Sequence, residues 1–277
     1  MKRLLPLGLA LGLTLGQSAW EPGALAQRTG AAAEAAAAPT QAFLPFHSAA
    51  LEFRYPPALG TPRVATVPAC PLEYPTDKPD GVAPEHLAIV FEGQRPLPPD
   101  ETLACNFPNF NHPQVRVFPV AAYRQIYPAA DPVLADLKPL LAGGKLAPGA
   151  ELPFLPFLDA FPAFTERVAL IPFASGRGLA FLTQWMIEPD TIGTRLAYVF
   201  QGLSADGKTF VLGLFPVKLR TPLPGFDIPR DERPEQTYAR YKPYAEGIAR
   251  TVRDAKDADF APGLDEILEL LRSLRLN

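Results

Sequence analysis

The chain has 277 residues, with 26 Lys+Arg against 29 Asp+Glu, a formal charge of −3, and 48% hydrophobic residues. That apolar content can fill a sizeable core and excludes wholesale disorder, and the weak acidity gives no electrostatic footprint for nucleic acid. Proline is the outlier, at 34 of 277 residues, or about 12% against a usual level of about 5%; each interior proline removes a helical hydrogen bond, which excludes a bundle of long helices.

Lys2 and Arg3 precede an apolar run from Leu4 to Leu15, and Ala24-Leu25-Ala26 supplies a small-x-small cleavage site. Residues 1–26 therefore read as a secretory signal peptide, with Gln27 as the mature N-terminus. As a helix the apolar run reaches about 18 Å, short of the ~30 Å hydrocarbon core, so no membrane span is expected after signal cleavage. Loss of Lys2, Arg3 and Glu21 leaves 24 basic against 28 acidic residues. Residues 27–42 are an Ala-rich tether with no face to anchor on a core. Residues 43–277 are expected to form a single α+β domain.

Cys70 and Cys105 are the only cysteines. In an oxidising compartment the pair most simply forms one disulfide, closing a proline-rich loop at a gain of about 3–4 kcal/mol. A reactive Cys105 near His112 is the competing reading.

Alternating apolar and polar residues predict strands at Leu51–Tyr55 and Gln114–Val120, and a compact apolar run ending at Glu92-Gly93 predicts another at His86–Phe91. A helical turn is expected over Ala121–Tyr127. A helix starts at Asp131-Pro132, with Asp131 as N-cap and Pro132 at N1; Pro139 should kink it and Gly143-Gly144 end it. Residues 145–163 are too rich in proline for a regular ladder and read as an apolar strap. Next come four strands with short turns: Glu166–Ala174, a turn at Ser175-Gly176-Arg177, Gly178–Glu188, Arg195–Leu203, a tight turn at Ser204-Ala205-Asp206-Gly207, and Lys208–Val217. This is an antiparallel meander, apolar on both faces and so covered on each. Pro243 is read as opening a helix through Tyr244, Ile248 and Val252. The stripe Leu264, Ile267, Leu268, Leu271, Leu274 marks an amphipathic last helix. The fold class is α+β: an antiparallel β-meander sheet covered by C-terminal helices and Pro-rich loops.

Motifs that carry chemistry are mostly missing. There is no phosphate-binding loop, and Gly176-Arg177-Gly178 sits in a hairpin. His47, His86 and His112 are isolated, without metal-ligand spacing. No serine lies in a Gly-x-Ser-x-Gly elbow. No cofactor is implied. Carboxylates at Glu188, Asp190, Asp227 and Asp231 are the residual enzymatic option, as an extracellular carboxylate-dependent hydrolase. Polar residues inside apolar strands mark the candidate ligand-binding surface: Gln184, Trp185, Tyr198 and Gln201. The helically spaced Tyr238, Tyr241 and Tyr244 read as core or as a stacking surface.

Gly178-Leu-Ala-Phe-Leu-Thr-Gln-Trp185 and Tyr198-Val-Phe-Gln-Gly-Leu-Ser-Ala-Asp-Gly-Lys208 resemble the pattern Gly-x-Arg-Phe-Leu-Thr-Gln-Tyr … Tyr-x-Phe-Gln-Gly-Leu-Thr-x-Asp-Gly-Lys of a family of exported bacterial proteins, many of them lipoproteins. The likeness extends to Phe118-Pro-Val-x-x-Tyr123, Leu152–Pro156 and Phe260–Asp265. It implies export and a shared fold, without an activity. This chain has no lipobox Cys, and Ala180 stands where that family has Arg. The strands followed by a final helix are also similar to the PsbP/Mog1-like fold. The resulting expectation is an exported non-catalytic protein, periplasmic, cell-surface or secreted, that binds an envelope ligand or protein partner.

Overall fold

Side chains that alternate along extended backbone need two covers, and the molecule supplies both. The computed structural model describes residues 42–71, 81–93, 111–145 and 151–277. The expected signal peptide, nearly all of the tether, Cys105 and most of the loop at 94–113 lie outside these residues. The first elements are β1 (Leu44–His47), β2 (Leu51–Tyr55), β3 (Thr61–Val67), β4 (His86–Glu92) and β5 (Gln114–Pro119), then α1 (Val120–Ile126) and α2 (Ala130–Leu141). The central part holds β6 (Phe161–Pro162), β7 (Glu166–Phe173), β8 (Gly176–Thr183), β9 (Trp185–Met186), β10 (Arg195–Ser204) and β11 (Thr209–Leu219). The chain closes with α3 (Pro234–Asp254), β12 (Phe260–Ala261), α4 (Leu264–Ser273) and β13 (Arg275–Leu276).

The main sheet is antiparallel throughout, in the order β3-β4-β5-β11-β10-β8-β7, with β12 added to the end of β11. The expected meander β7-β8-β10-β11 is thus one half of a wider sheet. A small sheet, β1-β2-β13, joins both ends of the described chain.

One face of the main sheet carries Ile89, Val115, Ile171, Ala180, Leu182, Tyr198, Phe200, Val211 and Phe215. It is covered by α3, α4 and the small sheet, which contribute Ile248, Val252, Ile267, Leu271, Leu51 and Phe53 to the same core. The opposite face carries Phe118, Leu179, Phe181, Val199, Phe210 and Leu212, and α1, α2 and the strap residue Leu155 close over it. The alternation expected along β8 holds: Leu179 and Phe181 face the α2 side, Ala180 and Leu182 the α3/α4 side.

Proline is placed where a missing amide does least harm. Pro62 and Pro172 lie in β3 and β7, the two edge strands. Pro216 pairs with Ala197 of β10 and falls between the stretches of β11 that pair with β5 and β12.

Several expected boundaries are corrected. Helix α2 is capped by Ala129, so Asp131 lies in its first turn and pairs with Arg124 at 2.5 Å rather than capping the helix. Pro139 is accommodated inside the helix. The β7–β8 turn is Ala174-Ser175, because Phe173 pairs directly with Gly176. Strand β8 stops at Thr183; Trp185-Met186 turn away to pair with Phe161-Pro162. Helix α3 begins at Pro234, and Pro243 sits within it. The helix tolerates the lost hydrogen bond because Tyr241, Ala245, Ile248 and Val252 bury a continuous stripe on the sheet.

Candidate functional site

A cleft of about 760 Å³ lies where two hairpin turns meet the C-terminal end of α2. Its walls are the β7–β8 turn with Gly176 and Arg177, the β10–β11 turn from Leu203 to Gly207, and Lys138, Leu141 and Ala142. The turns are fixed from within. Ala205 N–H donates to Ser175 O at 2.8 Å, locking one hairpin to the other. Ser175 Oγ accepts from Leu276 N–H at 2.8 Å, and Ser204 Oγ donates to Asp206 Oδ1 at 2.6 Å. Gly207 takes φ 69, as the expected Asp-Gly turn requires.

Leu141, Phe173 and Leu203 give the cleft an apolar lining. Three charges border it. Asp206 is engaged by its own turn: it accepts from Ser204 Oγ and Lys208 N–H, which lower its pKa, and Lys208 Nζ stands 3.6 Å away. Lys138 and Arg177 have no acidic partner among the described residues. Two cations without an acidic partner among the described residues therefore flank an apolar pocket.

The four residues singled out from the sequence do not converge. Tyr198 is buried on the α3/α4 side, where burial and the nearby Asp257 raise its hydroxyl pKa. Gln201 is fully buried on the other face; its Nε2 donates to Pro153 O and holds the strap, while its Oε1 has no hydrogen-bond partner. Gln184 Oε1 accepts from Gly193 N–H at 3.1 Å, and its Nε2 reaches only the weak acceptor Met186 Sδ at 3.3 Å. Trp185 is half-buried and braced by Phe154, ring centroids 4.9 Å apart. Gln184 and Trp185 do meet: with Asn111, Arg195, Leu196 and Ala197 they line a second cleft of about 230 Å³.

The glycines of the sequence motif serve packing. A Cβ on Gly178 would lie 2.2 Å from the Phe200 ring, and one on Gly202 would lie 3.0 Å from it. Phe200 lies across both strands only because those positions have no side chain. Of the tyrosine row, Tyr241 and Tyr244 pack with Phe226, whereas Tyr238 is 53% exposed.

Sequence reading missed a buried polar cluster. Arg116 is 6% exposed and donates to His86 Nε2 at 2.9 Å and to Gln114 Oε1 at 2.7 Å. His86 Nδ1–H donates to Pro84 O at 2.8 Å, and its ring stacks on Phe118. Desolvation, then the Arg116 charge, lowers the His86 pKa to about 4; desolvation lowers that of Arg116 to about 10. Imidazole is thus held neutral as an acceptor for a buried cation. The only sequence signal was a set of polar residues at Gln114 and Arg116 on one face of an apolar strand.

The loops carrying Asp190 and Asp227 are tied together through Thr191, whose Oγ1 donates to Phe226 O at 3.1 Å and accepts from Phe226 N–H at 2.9 Å. Glu188, Asp190, Asp227 and Asp231 line neither cleft above. Among the described residues no group of three or more His, Cys, Asp or Glu is placed to hold a metal ion, and no helix is long and apolar enough to cross a membrane. Cys70 is not a free thiol. No family model matches the chain, and no similar curated protein or solved structure is found.

Proposed function

We propose that this is an exported, non-catalytic binding protein of the cell envelope, and that its ligand is a small amphipathic anion held in the hairpin cleft. The observation that carries this reading is the pairing of an apolar lining with Lys138 and Arg177, neither of them neutralised by a described acid. A cleft of about 760 Å³ lies within the usual range of small-ligand sites, about 300–1,000 Å³. An anionic head would meet the two cations while an aliphatic or aromatic body displaces water from Leu141, Phe173 and Leu203. Catalysis is not needed to account for the site: the serine hydroxyls and the carboxylate on its walls are committed to turn hydrogen bonds.

Export and a Cys70–Cys105 pairing belong to the same reading. Leu4–Leu15 with its basic start supports export, and a disulfide between the two cysteines suits an oxidising compartment. Alkylation of the unfolded chain without reductant should modify neither cysteine; modification of both would remove the pairing.

The ligand assignment is tested by titrating the full chain with hexanoate, benzoate and phenyl phosphate, and with hexanamide and benzamide as neutral counterparts. At least one anion is expected to bind about tenfold or more tighter than its neutral counterpart, and the Lys138→Gln/Arg177→Gln variant should lose that preference. Equal binding of acids and amides, or binding unchanged in the variant, contradicts the reading.

A further inference from the structure

The cleft around Trp185 has a feature that the fold does not account for. Arg195 of β10 and Lys218 of β11 are directly opposite each other in the sheet register. Both are exposed, and neither forms an ion pair within 4 Å among the described residues. Directly opposed residues of an antiparallel pair project from the same face, about 4.5–5.5 Å apart at Cβ, and like charges there oppose folding. The folded chain alone gains nothing from this arrangement. Arg195 also lines the cleft that contains Trp185, Gln184 and Asn111.

The chemistry gathered there is specific. An indole, braced by Phe154 at 4.9 Å, offers a rigid apolar plate with a polar edge. The apolar C–H face of a pyranose ring packs on such a plate. Gln184 brings a side-chain amide that matches sugar hydroxyls, and its Nε2 has only a thioether as its acceptor among the described residues. Arg195 presents a planar fork suited to a carboxylate, with Lys218 beside it as a second positive charge. Neutral sugars would leave that paired charge unanswered, and a simple anion would make no use of the indole face or of the Gln184 amide.

We propose that the Trp185 cleft binds a pyranose carrying a carboxylate, a uronic acid unit, with the ring on Trp185 and the carboxylate on Arg195 and Lys218. This site is separate from the hairpin cleft and does not depend on the ligand assigned there. Its volume of about 230 Å³ suits one sugar unit, so a free sugar acid and the end of an acidic polysaccharide share the required chemistry.

Trp20 and Trp185 are the only tryptophans, so the full chain carrying Trp20→Phe reports on Trp185 alone. Its emission is followed while galacturonate, trigalacturonate, galactose and cyclohexanecarboxylate are added. Saturable change with an acidic sugar is expected, about tenfold or more tighter than with galactose or cyclohexanecarboxylate, and weakening as salt is raised. Tighter binding of the trimer assigns the source to a polysaccharide; equal binding assigns it to the free acid. Arg195→Gln should weaken binding about tenfold or more and Arg195→Lys less. Arg195 is exposed, so neither variant should unfold below the parent midpoint; Arg195→Lys should match it, and Arg195→Gln, which relieves the repulsion from Lys218, should match or slightly exceed it. The Lys138→Gln/Arg177→Gln variant should bind the acidic sugar normally, which separates this site from the hairpin cleft. No response to either uronate, equal response to galactose or cyclohexanecarboxylate, or an Arg195→Gln variant that binds like the parent overturns the proposal.

Discussion

Gly178 and Gly202 make room for the Phe200 ring, which a Cβ at Gly178 would meet at 2.2 Å. Gly178→Ala should therefore destabilise the domain by roughly 1–3 kcal/mol through overpacking, read as a lower urea midpoint. The same substitution at Gly143, where a Cβ meets nothing within 4 Å but φ is +96, would instead report backbone strain. At His86 the prediction concerns pH. The group's pKa falls from 6.5 to about 4 on folding, so below pH 6.5 the unfolded chain binds the proton and the folded one does not. Stability is full above about pH 6.5 and is lost as pH falls toward 4, by on the order of 3 kcal/mol. Urea unfolding across that range should show the loss, and His86→Gln should flatten it; an equally steep loss in the variant contradicts the assignment to His86.

Elements show what the sequence could and could not reveal. Strand β8 was readable because both of its faces are apolar and its alternation is regular. The last helix was readable from its stripe: Leu264, Ile267, Leu271 and Leu274 are buried as expected, whereas Leu268 is only half-buried and the buried Leu270 lay outside the expected stripe. Strand β3 was not, because Pro62 and Arg63 break the apolar pattern of an edge strand whose Val64 is 43% exposed. The start of α3 was hidden because its first turns are largely exposed and polar, so the apolar stripe begins well inside the helix. Of the candidate site, Gln184 and Trp185 were legible as polar and amphipathic residues at the end of an apolar strand. Arg195, Lys138 and Arg177 were not, because their meaning comes from which strands and turns pair, and local sequence does not encode that.

One contact between elements invites a direct test. Arg167 adopts φ 56 at the irregularity in β7 between Glu166 and Ala169, a conformation that costs a non-glycine residue about 1–2 kcal/mol. Its guanidinium donates to Ala255 O, at the C-cap of α3, and to the Asp257 carboxylate, and lies 5.7 Å over the Phe260 ring. Arg167→Ala loses this clamp without relieving the backbone and should cost roughly 1–3 kcal/mol. Arg167→Gly relieves the backbone and should cost less. If the two variants unfold at the same denaturant concentration, the strain has no part in the balance.

For the whole molecule, the sheet separates two environments. The α3/α4 side is sealed by two helices and the small sheet. The other side is covered by two shorter helices and a proline-bearing strap. The hairpin cleft opens at the end of the sheet, lined by Phe173 from one core and by Leu141 and Leu203 from the other, and the second cleft lies beside Trp185. Proline contributes to this arrangement by restricting the unfolded chain and so favouring ordered coverings without regular structure. Leu155 is 1% exposed between the strap and the sheet, so Leu155→Ala should cost about 2–5 kcal/mol and loosen that cover as a unit. The central claim is that the hairpin cleft takes an anion. Hydrogen–deuterium exchange of the full chain, with and without the tightest of the tested anions, tests it most directly. Slowed exchange is predicted in residues 173–177 and 203–208 and at the end of α2 near Lys138. Unchanged exchange in those segments, or slowing confined to α3 and α4, would contradict it.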